Sequence, residues 1–355
     1  MQLDMHFYGV YALARAAGIK PETARLIAYA SQFVDDAIDD EAIELTNGKA
    51  VLPTMTSHKP LDYKNTLPGD QWKVWIPFHF LPGNKEGAKT FVEKIVCQKD
   101  SQPAQEMLKH ALKYKKESFG PHIAGIAAHV FADTFSHWGF VGLSRDWNEV
   151  KQESIKIKTS HLSVKRYLWA KFETFKIRAM GSLAEAVPVG HGAVGTFPDR
   201  PYLRWEYEYE KNDKYERPEK IERNNFNDFI EACQKLHTFL KKFVEDNPNH
   251  QASESPRSWE EIEDRIHDIL IKEAPLDERI DEWKKAISSD DLFQSTDDDK
   301  KIYYSKKIWD AAHIVYHFEE KGNVDQCDAC LFFKAAWIHR QFVLHELLPE
   351  VGLIV

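Results

Sequence analysis

The stretch AAHVFADTFSHWGF, residues 127–140, decides how the rest of this sequence is interpreted. It places His129, Asp133 and His137 four residues apart in an otherwise apolar segment. At about 3.6 residues per turn, these three side chains share one face of a helix. Residues four apart on a helix lie about 5–6 Å from each other, so two such side chains can hold one ion. A buried carboxylate is costly unless it is paired or binds a metal, so this stripe needs partners elsewhere in the chain.

Composition excludes several classes of protein. The chain has 355 residues, of which 43% are hydrophobic, and this is typical of a folded protein with a sizeable core. The net charge of −9 disfavours general binding to nucleic acid, which usually needs a basic surface. The four cysteines are too few and too scattered for a disulfide framework. The sequence contains neither a signal-peptide pattern at its start nor an apolar run long enough to span a membrane, so we expect a cytoplasmic protein.

Helical periodicity dominates the chain and predicts an all-α fold, a multi-helix bundle around a buried metal site. The interval 43–83 contains five prolines and is predicted to be irregular, a long loop with room for a short hairpin, folded over the site so that His79 reaches it. The charged stretch at 210–221 suggests a seam. We therefore expect a metal-binding helical domain at 1–210 and a helical region at 211–355, which either stands apart or packs into the same domain.

Partners for the stripe are available in several segments. His122 lies seven residues before His129 on the same helical face, and LDMHFYG supplies Asp4 and His6 near the start of the chain. In SQFVDDAIDD the ligand is either Asp35 or Asp36; Asp35 projects onto the helical face that holds only small residues. The remaining candidates are His79 in WIPFHFLPG and His191 and Asp199 in VGHGAVGTFPD.

The order of these residues resembles the superfamily of zinc-dependent phospholipases C and fungal-type single-strand nucleases. SQFVD followed by PFHF is similar to the nuclease branch, and HVFADTFSHW is similar to the phospholipase branch. The resemblance covers about residues 1–200. It implies an all-α fold that holds three zinc ions, with Asp133 bridging two of them. The ligands that it implies are His6, Asp35, His79, His129, Asp133, His137 and His191.

The sequence departs from that family in two ligand positions. The family uses the amino group of an N-terminal Trp that is freed by removal of a signal peptide. This chain begins with Met, so we expect that ligand to be absent and Asp4 to replace it. The late His-x-x-x-Asp/Glu pair is not visible, and Asp199 is the nearest substitute. A site for two Zn²⁺ ions is therefore as plausible as one for three, and other divalent transition metals suit the same ligands.

These residues predict a metal-dependent hydrolase that uses metal-activated water on a small or lipid phosphodiester. Asp35 and Asp133 would organise the metals, and Arg204, with Arg200 beside it in sequence, would hold the phosphate. Surface salt bridges with nearby glutamates are an equally good interpretation of both arginines. Two alternatives stay open at this stage. The first is a non-catalytic helical protein with a structural metal site, and the second is a metal hydrolase that acts on a carboxylic ester or an amide.

Two other patterns imitate metal sites. His267 and Asp268 are adjacent on a strongly charged helix that offers no further ligands. His313 and His317, followed by Cys327 and Cys330, have the residue types of a structural zinc site. We expect neither group to bind metal: aromatic neighbours predict that His313 and His317 pack internally, and free cysteines commonly pack as small apolar residues.

Overall fold

The computed structural model describes residues 1–58, 68–159, 161–182 and 189–354. Most of these residues are helical, and none of the helices in these ranges is long and apolar enough to cross a lipid bilayer. The α-helices are α1 (Val10–Ala16), α2 (Pro21–Asp36), α3 (Pro68–Asp70), α4 (Ile76–Phe78), α5 (Phe91–Lys94), α6 (Gln102–Leu112), α7 (Gly120–His137), α8 (Leu162–Ser182), α9 (Asn225–Val244), α10 (Trp259–Leu270), α11 (Leu276–Ser288), α12 (Ala311–Lys321), α13 (Asp328–Phe342) and α14 (Leu348–Glu350). Three π-helical segments continue into α1, α4 and α14: Asp4–Gly9, Gln71–Trp75 and Val343–Leu347.

The predicted all-α fold is wrong, because the chain also forms two small antiparallel sheets. Strands β1 (Ile43–Glu44) and β2 (Ala50–Val51) form a hairpin. The second sheet has the order β3–β4–β5, with β3 at Val150–Lys158, β4 at Arg204–Tyr209 and β5 at Lys220–Asn224. The sequence of β4, RWEYEY, alternates large aromatic and charged residues, which is the period-two pattern of a strand with one buried face. At six residues this signal is short beside the long helical patterns that dominate the chain.

Helix α7 lies at the centre of the molecule, where it packs against α2, α6, α9 and α13. All of its residues are buried. It approaches α2 very closely at Gly125, where a Cβ atom would lie 2.2 Å from the carbonyl oxygen of Ile27. A glycine is therefore required at this crossing. The close approach brings the C-terminal end of α2 next to the stripe on α7.

Residues on both sides of the predicted boundary at 210/211 share the main hydrophobic core, which includes Phe7 and Phe131 as well as Phe229 and Trp283. The boundary falls in the connection between β4 and β5, which are paired neighbours in one sheet. A second, smaller core lies between this sheet and α8 and includes Phe172, Phe197 and Trp205.

The segment predicted to be irregular, 43–83, contains more regular structure than its prolines suggested. It begins with the β1–β2 hairpin, and residues 68–78 are helical. Pro68 is the first residue of α3, where the missing N–H of proline costs nothing, and Pro77 lies one residue before the end of the same helical run. Residues 59–67 lie outside the described part of the chain. Thr56 is anchored to the end of α2 by a hydrogen bond from its Oγ1 to the carbonyl oxygen of Val34, at 2.7 Å.

Candidate metal centre

Helix α7 presents His129, Asp133 and His137 on one buried face. The Nε2 atom of His129 lies 3.2 Å from Asp133 Oδ2, and the Nδ1 atom of His137 lies 3.6 Å from the same oxygen. Both distances follow from the spacing of four residues on a helix. The helix ends at His137, and Gly139, with φ of +89°, turns the chain away. The predicted stripe therefore places three side chains around one point at the C-terminal end of α7.

Asp133 is the centre of the cluster because both of its carboxylate oxygens are shared. Oδ1 accepts a hydrogen bond from the amino group of Met1 at 2.5 Å and lies 3.1 Å from His6 Nε2. Oδ2 lies 3.3 Å from His79 Nδ1 and also faces His129. Asp133 is 1% exposed, so water cannot solvate this charge. A carboxylate surrounded in this way can bridge two cations.

The π-helical segment Asp4–Gly9 and the end of α2 supply the next two side chains. The imidazole of His6 stacks on that of His129, with 3.8 Å between ring centroids. The Oδ1 atom of Asp35 lies 3.9 Å from both His79 Nδ1 and His129 Nε2. Asp36, the alternative from the sequence, turns away and accepts a hydrogen bond from the Tyr304 hydroxyl at 2.8 Å. The Asp35 side chain is 34% exposed, so the cluster is open to solvent on this side.

A second group lies on the other side of Asp133. Asp199 Oδ1 lies 3.5 Å from His137 Nε2 and 3.7 Å from His191 Nε2, and it accepts a hydrogen bond from Ser136 Oγ at 2.7 Å. His191 follows Gly190, which has a φ of +56° and packs directly on Phe80: a Cβ atom there would lie 2.1 Å from the Phe80 ring. This glycine lets the backbone approach close enough for His191 to reach Asp199.

Hydrogen bonds to backbone carbonyls orient three of the five imidazoles. His79 Nε2 donates to Thr56 O at 3.0 Å and His137 Nδ1 donates to His79 O at 2.8 Å. His191 Nδ1 donates to Gly195 O at 2.7 Å. In each ring the other nitrogen then faces a carboxylate of the cluster with a lone pair. This pattern, in which one ring nitrogen is fixed by a carbonyl and the other is free, is typical of histidines that ligate metals.

The cluster contains two buried carboxylates, those of Asp133 and Asp199, that stay ionised. Burial raises the pKa of Asp133, but His137, the Met1 amino group and His129 outweigh it and hold that pKa well below its usual range. The pKa of Asp199 is also lowered, because the Met1 amino group and His191 outweigh the effect of burial. Burial lowers the pKa of His191 to about 4 and also lowers that of His6. Ionised Asp133 and Asp199 beside neutral His6 and His191 are the protonation states that divalent metals bind.

The arrangement fits metal ions in its donor types, its spacing and its unsatisfied atoms. Three groups of ligand atoms each lie within 4.8 Å of one another, and two of them share His129. The buried Nδ1 atom of His6 makes no hydrogen bond, although a buried polar atom costs free energy unless it has a partner. The three groups are His6–His129–Asp133, Asp35–His79–His129 and His137–His191–Asp199.

Comparison with known proteins places the chain in a family. A model of a family of unknown function (DUF6765) matches residues 1–347. The chain belongs to this family. No curated protein and no solved structure matches it. The family carries no assigned activity, so the chemistry has to be argued from the site.

Three residues predicted for the site lie elsewhere. Asp4 faces Arg279, with 3.4 Å between Oδ2 and Nε, and so does not replace an N-terminal ligand. His122 lies two turns before His129 on α7, where its Nε2 is 3.4 Å from Asp328 Oδ1 and its ring packs against Trp309. Arg204 is exposed on β4, where it is paired in register with Lys158 and Asn224. Asp4 and Arg204 were assigned to the site because they are near other candidates in sequence, and His122 because it shares a helical face with His129. Neither kind of argument predicted the position of the side chain.

The prediction from the sequence did not include the amino group of Met1, because an N-terminal ligand was expected to be absent from the site. It is buried between the two carboxylates, 2.5 Å from Asp133 Oδ1 and 3.5 Å from Asp199 Oδ1. Burial lowers its pKa, but Asp133, Asp199 and Asp35 together raise it to about 10. The only signal was the position of His6, which brings the first residues of the chain to the cluster. The carbonyls of Thr56 and Gly195 left no signal in the sequence, because any residue has one.

The two patterns that imitate metal sites are not part of any ligand group within the ranges that the structure describes. His267 is exposed and packs its ring on Phe226. The expected internal packing of His313 is wrong: it is exposed beside Asp310, because α12 buries Ile314 instead. Cys327 and Cys330 are free thiols at the start of α13.

Proposed function

We propose that this protein is a metal-dependent hydrolase of phosphoric esters that binds two or three divalent ions, zinc being the best match to the ligands. The observation that carries the proposal is the position of Asp133, whose two oxygens face different imidazoles, two of which, His79 and His137, are oriented by backbone carbonyls. Histidine nitrogens and carboxylates are the ligands of zinc sites in hydrolases.

The residues divide the work as follows. His6, His129 and Asp133 would hold one ion, with Asp35 and His79 holding a neighbouring one. His137, His191 and Asp199 would hold a third. Ions held together in this way supply an activated water and neutralise the charge that develops on a phosphoryl group. The chain itself lowers the pKa of His6 and His191, orients three of the imidazoles through backbone carbonyls, and excludes water from Asp133.

The open side at Asp35 favours a catalytic site over a structural one. Structural metal sites are closed by four protein ligands, whereas catalytic sites keep a position for water or substrate. The substrate that we propose is a small or lipid phosphodiester. The net charge of −9 makes long nucleic acid a poor substrate, because a polyanion would be repelled. The four cysteines are free, which suits a reducing compartment, and we propose a cytoplasmic location on that ground.

The test combines metal analysis with activity. Protein purified without added metal is analysed for bound metal and assayed on bis(p-nitrophenyl) phosphate, with and without a chelator. We expect bound zinc or a similar ion, and hydrolysis that chelation abolishes. His129→Ala should reduce both metal content and rate by at least tenfold, because His129 belongs to two of the ligand groups.

His122→Ala is the matched control, since it removes a buried histidine of the same helix that lies outside the cluster. Protein without bound metal would overturn the proposal at its base. Bound metal with no turnover of any ester would favour a structural site instead. Hydrolysis of p-nitrophenyl acetate but not of the phosphodiester would favour the carboxylic ester or amide alternative.

A further inference from the structure

A cavity of about 240 Å³ lies between α8 and the segment 195–200, next to the metal centre in sequence. Its walls combine two cationic side chains, Arg200 and Lys171, with the aromatic rings of Tyr167, Phe172 and Phe197. None of the residues that line it is acidic. A cavity with aromatic walls and only positive charge is suited to a small organic anion.

Arg200 is the unusual residue of this cavity. It is 4% exposed, and its Nη2 atom donates a hydrogen bond to Thr196 Oγ1 at 3.1 Å. Its Nε and Nη1 atoms are buried and make no hydrogen bond. A buried guanidinium without an anion is costly, because its charge has lost water and gained no counter-charge. This cost would be removed by an anion bound in the cavity.

The carboxylates near Arg200 along the chain and in space are already engaged elsewhere. Asp199, its neighbour in sequence, faces the histidines of the metal centre and the Met1 amino group. Asp4 faces Arg279, the other buried arginine of this region, which also donates from Nη2 to Gln2 Oε1 at 2.5 Å. Among the described residues no carboxylate lies within 4.0 Å of Arg200, so its charge is unpaired.

Lys171 adds a second positive charge at the mouth of the cavity. Its Nζ lies 5.7 Å from the centroid of the Tyr167 ring, and the Arg200 Cζ lies 5.5 Å from the same centroid. Both cations therefore lie beside the same aromatic ring. Arg200 can present two parallel N–H groups to a tetrahedral oxyanion, and Lys171 can approach it as a point charge.

We propose that this cavity binds the phosphate group of a small phosphate ester, with the organic part of the ligand against Tyr167, Phe172 and Phe197. The site is separate from the metal centre, although the two share backbone: Gln2, Gly195 and Arg200 line the cavity, while Met1, His191 and Asp199 face the metal centre. The proposal does not depend on the hydrolase activity, since binding needs only Arg200 and Lys171.

The experiment is a calorimetric titration of the purified protein with phenyl phosphate, and with benzoate and inorganic phosphate as comparisons. Arg200→Gln should weaken the binding of phenyl phosphate by at least tenfold, because it removes the buried charge and its paired donors. Lys171→Gln should weaken it by a few fold, since this lysine is exposed. Arg204→Gln is the matched control for Arg200 and should leave the affinity unchanged, because Arg204 lies outside the cavity.

His129→Ala separates this cavity from the metal centre. If phenyl phosphate binds in the cavity, its affinity survives His129→Ala and falls in Arg200→Gln, whose metal content stays at the wild-type level. The reverse pattern, loss in His129→Ala and none in Arg200→Gln or Lys171→Gln, would show that phosphate binds only to the metals and would overturn the inference. Should Arg200→Gln fail to fold, Lys171→Gln and Arg200→Lys decide: an unchanged affinity in both would overturn it as well. Tighter binding of benzoate than of phenyl phosphate would overturn the assignment of a phosphate ligand.

Discussion

The two ends of helix α7 carry buried histidines on the same face, yet their surroundings differ. His129 and His137 meet a carboxylate within the helix and side chains from four other segments. His122 lies on the same stripe and is equally buried, but it faces only the half-exposed Asp328 and the Trp309 ring. Helical phase makes a histidine available as a ligand. Whether it becomes one depends on what the rest of the fold brings to it.

Removing the charge of Asp133 should leave the histidines at the C-terminal end of α7 without bound metal, as His122 is at the other end. Asp133→Asn keeps the shape of the side chain but removes the charge on which His6, His79 and His129 converge. We expect loss of most bound metal and a melting temperature about 5 °C lower, because a ligand held far above its dissociation constant contributes about 4 kcal/mol to stability. Metal analysis and calorimetry measure both effects. Chelated wild-type protein should melt close to the variant, and a variant with full metal content would refute the central role of Asp133.

His339 is a buried histidine outside the cluster, and it should make the free energy of unfolding depend on pH. His339 donates from Nε2 to Pro77 O at 2.9 Å, and burial lowers its pKa to about 4. The unfolded chain takes up this proton near pH 6.5, well before the folded one, so stability is complete above pH 6.5 and falls between pH 6.5 and 4. The loss from this residue amounts to about 3 kcal/mol.

His339→Gln is the matched variant, because an amide can donate the same hydrogen bond and does not titrate. Denaturant unfolding of both proteins at pH 7 and pH 4 gives the two stabilities. The wild type should lose more stability than the variant over this interval. Parallel losses would mean that His339 keeps an ordinary pKa and that the acid sensitivity arises only in the cluster.

The smallest effect is expected at the other end of the helix. His122→Phe keeps the contact with Trp309 and removes two ring nitrogens that are buried without hydrogen bonds. We expect an unchanged metal content and a change in unfolding free energy within about 1 kcal/mol, since removing an unsatisfied buried group offsets the lost contact with Asp328. Metal analysis and denaturant unfolding measure these quantities. Loss of metal from this variant would show that His122 belongs to the metal site, as His129 and His137 do.

Sequence reasoning was most successful where the relevant geometry is local. The spacing of His129, Asp133 and His137 predicted one shared face, and these residues lie together in the structure. Reasoning was weakest for short strands: β4 has six residues, and its alternation is short beside the long helical patterns that dominate the chain. The all-α prediction failed for this reason. Resemblance in the order of residues brought in His6, Asp35, His79 and His191, which periodicity alone does not connect.

The sequence by itself determined that this chain has a buried, mainly apolar helix with a His–Asp–His face, because helical geometry depends only on neighbours along the chain. Only the tertiary structure decided which residues meet that face. In the folded chain Asp35 faces the cluster, whereas Asp36 turns away from it. Asp4 and His122 contact other residues outside the cluster. The tertiary structure also brought in the amino group of Met1 and oriented the imidazoles by carbonyls. These choices depend on how distant segments pack, as at Gly125 and Gly190, and a carbonyl or an amino group is present in every sequence, so no residue pattern could reveal them.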